Sequence, residues 1–570
     1  MEGPAEQGFG AYRHPASWAL NLEPLSLTDM FERTAEVKPR APLIDFFGRK
    51  FSYADVAGLA RRVATGLAAV GIRPGDRVGL YLPNVPHYVG AYYGALRLGA
   101  VVVNLLPLSS LEEIREQVND SGTRLIFTLG TTALLPQAAS LLHTSALERL
   151  VVGSVAGALS SSRAMLYRLF RRAEIAIAPS DARVMTFEAL IANDGTVPKI
   201  GVDPEREVAV LQYSGGTTGQ PKGVMLTHQA LTANARQIDA ADPYSPSCGW
   251  SGDDRVIGAL PLCHIFALSC VLNRTVAAGG EMVLLPRFEP AEVIAAIERT
   301  RATKMPGVPS MYQALLDYPG LRKADLTSLR LCISGGMALP PSLKERFESR
   351  TGSLLVEGYG LTEGGMLCAN PVDALNKPGT VGQPLPRTMI ALVDRENPER
   401  DPPPGQAGEI IVQGPQIMQG YWRDSDVGPF VERAGVRWLR TGDVGVIDPD
   451  GYVRIVDRLK EMISVGGVKV FPSQIEAILC RHPAVAEALV IGVPDPVSGE
   501  VPQAFVTLVG GSATTAGELK AWLNPQLGRH EQVLSVELRE SLPRTVVGKL
   551  SRRALIELGE TQPPSRRGAA

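Results

Sequence analysis

The sequence predicts an α/β protein with two domains. We expect a large N-terminal domain of parallel-rich sheets with flanking helices and a β-rich subdomain, followed by a small α+β C-terminal domain. The first observation is length, because 570 residues exceed the roughly 250 to 300 that one hydrophobic core supports. The second is an alternation of strand-like and helix-like runs, which is typical of parallel strands joined by helices. The third is a change to short, turn-separated runs after Met389.

The alternation is clearest between residues 51 and 105. Residues 52–70 predict an amphipathic helix, 76–81 a buried strand, 87–98 a second helix and 100–105 a second strand. These assignments rest on the spacing of the apolar residues. The same alternation recurs later in the chain. Further strands are predicted at 208–212, 255–260 and 282–285, and further helices at 230–240 and 290–299.

A charged run at 457–460 is typical of a linker and predicts a domain boundary. The predicted domains are therefore 1–456 and 457–560. The last part of the first domain is predicted to be the β-rich subdomain, with strands that begin after Met389. These strands are expected at 408–413, 438–441 and 452–456.

The residues after the boundary predict a compact α+β unit. A tail at 561–570 contains prolines and arginines and is predicted to be disordered. The unit is expected to contain helices at 473–481 and 516–523 and strands at 486–491, 504–508 and 533–538.

Charge and composition exclude several classes of function. Lys and Arg total 57 against 59 Asp and Glu, so the net charge of −2 offers no field that would hold nucleic acid. Six cysteines without a C-x-x-C pair indicate a reducing compartment rather than a disulfide framework or a zinc site. No secretory signal and no apolar run of membrane-spanning length is visible, so a cytoplasmic protein is predicted.

Residues 164–177 combine arginines with large apolar side chains. Arg163, Arg168, Arg171 and Arg172 stand beside four large apolar residues, Met165, Leu166, Leu169 and Phe170. Two interpretations are open. The segment is either a helix that lies on an anionic membrane surface, or an ordinary surface helix whose apolar stripe is buried. The second interpretation is favoured, and peripheral contact with the inner face of a membrane stays a candidate.

The strongest local motif is the run from Tyr213 to Gly223 (YSGGTTGQPKG). It contains four glycines and three small hydroxyl residues directly after an apolar strand. Its backbone N–H groups and hydroxyls are suited to wrap a polyphosphate, and Lys222 adds a point charge. It differs from the P-loop pattern, because Pro221 precedes the lysine and Gly223 follows it. A flexible linker is the alternative interpretation.

The run resembles the phosphate loop of the adenylate-forming superfamily, which contains acyl-CoA synthetases, luciferases and peptide-synthetase adenylation domains. Further segments resemble the family's motifs in the same order, and the resemblance implies that the C-terminal domain is mobile. The matching segments are Pro261–Phe266 for the acyl pocket, Ser334–Gly336 for the nucleotide-side turn, Glu357–Glu363 for adenine and magnesium, Arg440–Asp443 for ribose, Asp457–Lys460 for the hinge and Pro543–Lys549 for the C-terminal lysine motif.

The resemblance implies a site for ATP, Mg²⁺ and a carboxylate substrate. Thr217 and Glu363 are the implied magnesium ligands, and hard oxygen ligands are what this ion takes. Tyr359 is implied to face the adenine, and Asp443 to accept both ribose hydroxyls. The implied ATP- and AMP-binding residues are Ser214, Gly215, Gly216, Thr217, Thr218, Gly219, Lys222, Gly336, Glu357, Gly358, Tyr359, Gly360, Thr362, Asp443 and Arg458.

Lys549, Glu363 and His264 are the implied catalytic residues. Lys549 matches the family's lysine that bridges the attacking carboxylate and the α-phosphate, and it is one of only 12 lysines in the chain. His264 has two interpretations, a residue that borders the acyl-adenylate and a core histidine. His228, next to the phosphate loop, is predicted to be structural.

Coenzyme A is the predicted acyl acceptor. Gly466 and Gly467 resemble the loop past which pantetheine approaches the acyl-adenylate, and Lys460 is the implied hinge residue. Luciferases carry a lysine where this chain has Ser464, which weakens an oxygenase interpretation.

The acyl pocket is predicted to be apolar. Phe266, Leu268, Val308 and Met337 are its candidate lining residues, with ordinary core packing as the alternative for each. Peptide-synthetase domains carry an aspartate just after the position of Phe266, where this chain has Ala267. An amino-acid ammonium would therefore be buried without a partner.

The predicted function is ATP-dependent acyl-CoA synthesis from a medium- to long-chain fatty acid, because flanking segments resemble bacterial long-chain fatty acid CoA ligases. The enzyme class is that of acid–thiol ligases. A dicarboxylate (pimeloyl-type) CoA ligase is an alternative, and so is a fatty acyl-AMP ligase that passes the acyl group to a carrier protein. A non-enzymatic acyl-binding protein is disfavoured because the motifs are intact. A homodimer is compatible with the sequence.

Overall fold

The computed structural model describes residues 12–214, 222–249, 253–372, 376–403, 405–424, 428–466, 468–545 and 550–560. These residues form a mixed α/β fold, as predicted. They divide into two compact units. One is formed mainly by residues up to Met389, and the other by most of the later strands together with the C-terminal elements. The predicted boundary between 456 and 457 stays a prediction.

Strands are numbered in chain order. The first thirteen are β1 (Pro42–Phe46), β2 (Arg49–Ser52), β3 (Arg77–Leu80), β4 (Val101–Asn104), β5 (Thr123–Leu129), β6 (Arg149–Gly153), β7 (Val184–Thr186), β8 (Val208–Ser214), β9 (Lys222–Thr227), β10 (Arg255–Gly258), β11 (Glu281–Leu284), β12 (Lys304–Gly307) and β13 (Leu331–Ser334). The others are β14 (Leu354–Leu361), β15 (Gly365–Ala369), β16 (Gln383–Pro384), β17 (Met389–Val393), β18 (Gly408–Gln413), β19 (Gly420–Tyr421), β20 (Phe430–Arg433), β21 (Val436–Ile447), β22 (Val453–Arg458), β23 (Ile463–Val465), β24 (Val468–Val470), β25 (Val485–Asp495), β26 (Gly499–Leu508) and β27 (Val536–Leu538).

Helices are numbered in the same way. They are α1 (Leu27–Val37), α2 (Tyr53–Ala69), α3 (Pro86–Arg97), α4 (Leu111–Ser121), α5 (Leu135–Thr144), α6 (Val155–Ala158), α7 (Ser161–Phe170), α8 (Phe187–Leu190), α9 (His228–Ala240), α10 (Ile265–Ala267), α11 (Arg274–Ala278), α12 (Pro290–Thr300), α13 (Pro309–Asp317), α14 (Pro341–Thr351), α15 (Pro472–Leu479), α16 (Ala516–Leu523) and α17 (Arg552–Glu560).

The larger unit contains two extended sheets. One has nine strands in the order β16-β15-β14-β13-β12-β10-β11-β1-β2, and its central strands pair in parallel. The other has eight strands in the order β19-β9-β8-β4-β3-β5-β6-β7, with β9 and β19 antiparallel at one edge. Such parallel sheets leave their carboxyl edges available for a ligand site.

Local sequence explains the paired helices α2 and α3. Ser52 and Asp55 form a reciprocal capping box at the start of α2, while Pro86 opens α3 at a position where proline is favoured. The two helices approach closely because Gly90 and Gly94 carry no side chain. A Cβ at either glycine would lie 2.5 Å from a side chain of α2.

The smaller unit contains two five-stranded sheets, β17-β18-β21-β20 with β22 on β21, and β24-β23-β26-β25 with β27 on β26. The prediction that residues 457–460 form a linker is wrong for the first two of them, because Asp457 and Arg458 belong to β22. They pair with Val444 and Asp443 of β21. The Asp457 carboxylate is buried and accepts the N–H (3.0 Å) and hydroxyl (2.9 Å) of Ser473, which ties this strand to α15.

The prediction that the segment after residue 163 buries an apolar stripe is wrong. Helix α7 ends at Phe170, earlier than the predicted segment, and contains no buried residue. In the parts of the chain that the structure describes, no helix combines the length and apolarity needed to cross a membrane.

Candidate active site

Several predicted site residues of the larger unit lie at one edge of the nine-stranded sheet. His264, Val308 and Gly336 each follow the carboxyl end of a parallel strand, β10, β12 and β13. The neighbouring strand β14 is parallel to β13 up to the pair Ser334–Glu357 and then turns into an antiparallel hairpin with β15. The sheet therefore brings these chain segments together at one edge, where ligands of open α/β sheets bind.

Thr362 and Glu363 lie in the turn of the β14–β15 hairpin, after Tyr359 in β14. All three side chains are half-buried. The hairpin is held by Asn234 of α9, whose side-chain amide donates to the Met366 carbonyl (2.7 Å) and whose oxygen accepts the Met366 N–H (3.1 Å). Asn234 belongs to none of the recognised motifs.

A second chain segment, Met418 to Tyr421, positions Glu363 by hydrogen bonds. The hydroxyl of Tyr421 in β19 donates to Glu363 Oε1 (3.0 Å), and the N–H of Met418 donates to the Glu363 carbonyl (2.7 Å). Burial and the adjacent Glu363 carboxylate raise the pKa of Tyr421, so the phenol keeps its proton and remains a donor. Lys222 Nζ lies 5.0 Å from the centre of the Tyr421 ring and 3.0 Å from Asp424 Oδ2.

The candidate phosphate loop connects two antiparallel strands. Ser214 at the end of β8 pairs with Lys222 at the start of β9, whereas a P-loop joins a strand to a helix. The hydroxyl of Tyr213 donates to Asp120, which anchors the strand before the loop. The loop positions Gly215, Gly216, Thr217, Thr218 and Gly219 lie outside the described residues, so their predicted roles stay predictions.

Buried polar side chains hold the loop that leads to His264. The Asn84 amide donates to the carbonyls of Gly258 (2.9 Å) and Leu260 (2.7 Å), and its oxygen accepts the Leu262 N–H (2.8 Å). Because Asn84 precedes α3, residues far apart in sequence determine where this loop lies.

A second clamp fixes the last turn before the histidine. The Gln212 amide of β8 donates to the Cys263 carbonyl (2.8 Å) and accepts from Asn104 (2.9 Å). His264 is half-buried, and its Nδ1 accepts the Phe266 N–H (3.3 Å). In the neutral ring the proton is then on Nε2, which can donate. His228 is buried with its Nδ1 accepting the Leu27 N–H (3.3 Å), a structural role as predicted.

Glu357 is a buried carboxyl group at the same edge. Its side chain Oε1 accepts the Leu339 N–H (3.1 Å), and the residue is 8% exposed. Burial raises the pKa of the Glu357 carboxyl to about 8, although the Leu339 hydrogen bond lowers it. The group is therefore largely protonated at neutral pH.

We expect Glu357→Gln to stabilise the protein at alkaline pH and to have little effect near pH 5. A folded-state pKa raised from 4.5 to about 8 means that the native state binds more protons, so wild-type stability falls between those values, by up to about 1.4 kcal/mol per pH unit. Glutamine keeps the acceptor oxygen and cannot ionise. Thermal unfolding of both proteins from pH 5 to pH 9 measures the effect, and a difference in Tm that does not grow with pH contradicts it.

An apolar cluster adjoins the nucleotide-side turn. The ring of Phe266 lies against Gly335, where a Cβ would be 3.1 Å from it. Phe266 also packs on a cluster of Ile238, Ala241, Cys270, Met366, Ala369 and Leu385. Of the other predicted pocket residues, Leu268 and Val308 are buried and Met337 is half-buried.

The buried carboxylates near this cluster are already paired. Asp239, Asp242 and Asp254 contact the Arg274 guanidinium at 3.1, 2.9 and 2.5 Å, and Lys304 contacts Asp242 and Asp254 at 2.9 and 2.6 Å. These three carboxylates are therefore already paired within the protein, as buried charges usually are.

The predicted ribose segment is built within the smaller unit. Asp443 is 3% exposed, and Arg458 Nε lies 3.1 Å from its Oδ1. Buried Glu409 holds the segment, because it accepts from the Arg440 guanidinium (2.6 and 2.9 Å) and from the Gly442 N–H (3.2 Å). Gly442 has φ +72°, a conformation that favours glycine.

The predicted hinge and coenzyme A segments are only partly described. Lys460 is exposed in a 3₁₀ turn, and Gly466 has φ +57° in the turn between β23 and β24. Gly467 and Lys549 lie outside the described residues, and their roles stay predictions. Between the start of the lysine motif and the residues that follow it, Arg544 pairs with Leu550 and the Ser551 N–H donates to the Pro543 carbonyl (2.8 Å).

Several positioning residues were missed because they lie outside the recognised motifs. Gln212 in β8, Asn104 in β4 and Glu409 in β18 are polar residues directly next to runs of apolar ones. Such residues are buried only with hydrogen-bond partners, and that position is the signal that could have found them. Tyr421 offers no comparable local signal.

The family described as AMP-binding enzyme matches residues 31–422, and the family described as AMP-binding enzyme C-terminal domain matches 474–549. A long-chain-fatty-acid–CoA ligase of Bacillus subtilis (strain 168) is 39% identical over 544 residues, covering 94% of this chain and 95% of the relative. A feruloyl-CoA synthase of Amycolatopsis sp is 36% identical over 521 residues, covering 91% and 96%. ATP-bound MatB from Rhodopseudomonas palustris matches with a TM-score of 0.79 at 28% identity, covering 94% of this chain and 99% of that one.

The fold and the order of the motifs are those of an adenylate-forming enzyme, an acid–thiol ligase as the sequence predicted. The chain belongs to the AMP-binding enzyme family.

Proposed function

We propose that the protein is an ATP-dependent CoA ligase for medium- to long-chain fatty acids. The observation that carries the proposal is the apolar cluster on Phe266, which lies against Gly335 of the nucleotide-side turn. This contact brings a buried apolar cluster next to the segment that would hold the nucleotide. The 39% identity to a long-chain-fatty-acid–CoA ligase supports the same substrate class.

The reaction has two steps. A carboxylate oxygen attacks the α-phosphorus of ATP, the bond to the β-phosphate oxygen breaks, and pyrophosphate leaves with an acyl-adenylate remaining. The thiolate of coenzyme A then attacks the acyl carbon, and AMP leaves with its electron pair on the phosphate oxygen. The first step brings two anions together, so it needs positive charge and hydrogen-bond donors. Lys222 and His264 Nε2 are suited to supply them, and Lys549 would add a further charge in its predicted role.

Glu363 fits a magnesium ion. Its half-buried carboxylate presents hard oxygen atoms, and the Tyr421 hydrogen bond orients it. Together with the Thr217 hydroxyl it would hold the ion, which when bound neutralises phosphate charge. Lys222, beside the same Tyr421 ring, is suited to contact the leaving pyrophosphate.

We expect Tyr421→Phe to raise the Mg²⁺ concentration for half-maximal adenylation by about tenfold. The substitution removes the hydroxyl that orients Glu363, and a hydrogen bond to a charged group contributes about 1.5–3 kcal/mol, where 1.4 kcal/mol is tenfold. The measurement is the rate of pyrophosphate release against Mg²⁺ concentration. Tyr318→Phe, on a half-buried tyrosine elsewhere in the larger unit, is the control and should not change it. An unchanged Mg²⁺ dependence in Tyr421→Phe argues against the orienting role.

A dicarboxylate substrate is less well supported. A second carboxylate at the far end of the acyl chain would need a basic partner, and the residues of the Phe266 cluster are all apolar. Because one relative is a feruloyl-CoA synthase, an aromatic acid is a second candidate substrate.

A panel of carboxylic acids tests the proposal. Acetate through palmitate, pimelate and ferulate are each supplied with ATP, Mg²⁺ and coenzyme A, and pyrophosphate release and loss of free thiol are followed. The expected result is equal release and thiol loss with an optimum at long alkyl chains. Pyrophosphate release without thiol loss would indicate an acyl-AMP ligase, and an optimum at pimelate or ferulate would overturn the fatty-acid assignment.

A further inference from the structure

Helix α7 and the residues that follow it leave a large apolar surface uncovered. Six of the sixteen exposed large hydrophobic side chains in the described part of the chain lie between residues 165 and 177. Their exposed fractions are 71% for Met165, 53% for Leu166, 65% for Leu169, 74% for Phe170, 38% for Ile175 and 94% for Ile177. Such clusters mark interaction sites, whereas single exposed apolar residues need no explanation.

The four apolar side chains of α7 share one face. At about 100° per residue, Met165, Leu169, Leu166 and Phe170 fall within an arc of about 140°. Tyr167 and Ala164 occupy the opposite, half-buried side. The helix therefore rests on the protein with its small or amphipathic residues and turns its most apolar face outward.

Arginines border this face on both sides. Helical spacing places Arg168 next to Met165 at one edge and Arg163 next to Phe170 at the other. Arg171 and Arg172 follow, and all four arginines are exposed. The one acidic residue between 161 and 177 is Glu174, which pairs with Arg171 (2.5 Å). The segment is thus strongly basic in a chain whose net charge is −2.

The apolar surface continues beside the helix. A groove of about 620 Å³ is lined by Met165, Leu169 and Arg168 of α7 together with Leu159 and Arg49. The Arg49 guanidinium donates to the carbonyls at the end of α6 and so forms part of the wall. An apolar strip and groove bordered by cations match a layer of acyl chains beneath anionic headgroups.

We propose that α7 and the segment to Ile177, together the α7 surface, dock the protein onto an anionic phospholipid bilayer. The apolar side chains of α7 enter the headgroup–acyl boundary, and the bordering arginines contact lipid phosphates while their stems stay in the apolar layer. An anionic bilayer accounts for the exposed apolar face and for the arginines on both sides of it. A helix embedded at the bilayer surface has lipid phosphates along each of its two sides. This docking role is additional to the proposed function and does not depend on it.

Vesicle flotation of the full chain tests the proposal. The protein is mixed with vesicles of phosphatidylcholine alone or with added phosphatidylglycerol, and the bound fraction is measured at low and high salt. Wild type is expected to bind the anionic vesicles, and less at high salt. The triple variant Met165→Ser, Leu169→Ser, Phe170→Ser is expected to lower the partition coefficient at least tenfold. The charge variant Arg168→Glu, Arg172→Glu is expected to lower it similarly and to lose the salt dependence.

Matched controls are available on other surfaces. Val37→Ser and Val497→Ser remove side chains that are 80% and 93% exposed, and Arg206→Glu reverses an exposed arginine outside the α7 surface. These variants should bind as wild type, and circular dichroism checks the fold of every protein. Wild type that fails to bind anionic vesicles overturns the proposal, and so does a result in which both α7 variants bind as strongly as wild type. Concentration-dependent self-association that the triple variant abolishes, without vesicle binding, would assign the surface to a second copy of the chain.

Discussion

Lys549→Ala is expected to slow acyl-adenylate formation by at least about 100-fold, the usual size of losing one positioned charge that stabilises a developing anion. The substitution should leave thioester formation from a supplied acyl-adenylate within a few-fold of wild type. The physical reason is that only the first step joins two anions, a carboxylate and a phosphate. Arg544, near the start of the lysine motif, pairs with Leu550 directly after it.

Separate half-reaction assays measure this effect. Pyrophosphate release without coenzyme A reports the first step, and acyl-CoA formation from synthetic acyl-adenylate reports the second. Lys323→Ala, at an exposed lysine of the larger unit, is the matched control and should change neither rate. Equal losses in both half-reactions would show that Lys549 does not have the assigned role.

Glu363→Gln is expected to cut adenylation on the order of 100-fold and to weaken the response to Mg²⁺. Glutamine keeps the size of the side chain and an oxygen that accepts the Tyr421 hydrogen bond, but it removes the charge that attracts the ion. The effect therefore reports metal binding rather than loss of packing. Pyrophosphate release at several Mg²⁺ concentrations is the measurement.

A double-mutant cycle distinguishes this role from a structural one. Because Tyr421 donates directly to Glu363 Oε1, the effects of Tyr421→Phe and Glu363→Gln should be non-additive, with the double variant close to Glu363→Gln alone. Glu345→Gln, at an exposed carboxylate on α14, serves as the control. Additive effects, or a Glu363→Gln enzyme with normal Mg²⁺ dependence, would remove Glu363 from the metal site.

Much of the secondary structure follows from local sequence. The helix predicted at 516–523 is α16, and the one predicted at 52–70 is α2 within a residue at each end. Both begin with capping boxes, at Thr515 and Ser52, so their starts are encoded locally. The main misjudgement was at 457–460. Its charges are typical of a linker, but Asp457 and Arg458 are paired across β21 and β22, which charge alone does not reveal.

The candidate site was predictable where it consists of contiguous motifs. The order of these motifs identified the class of enzyme, and the structure places Glu357–Glu363 at an edge of the nine-stranded sheet. The residues that position these motifs were not predictable, because they come from distant segments. Asn84 holds the loop before His264, and Tyr421 orients Glu363.

The amino-acid sequence therefore determines the fold class, the helices with their own caps, the family and the candidate reactive residues, since these depend on spacing and residue type within short segments. Tertiary structure alone decided that β8 and β9, the strands on the two sides of the phosphate loop, pair in antiparallel, and which buried amides hold the His264 loop. It also decided that the apolar face of α7 is exposed. Periodicity shows that a helix is amphipathic, but whether its apolar face is covered depends on long-range packing that local patterns do not encode.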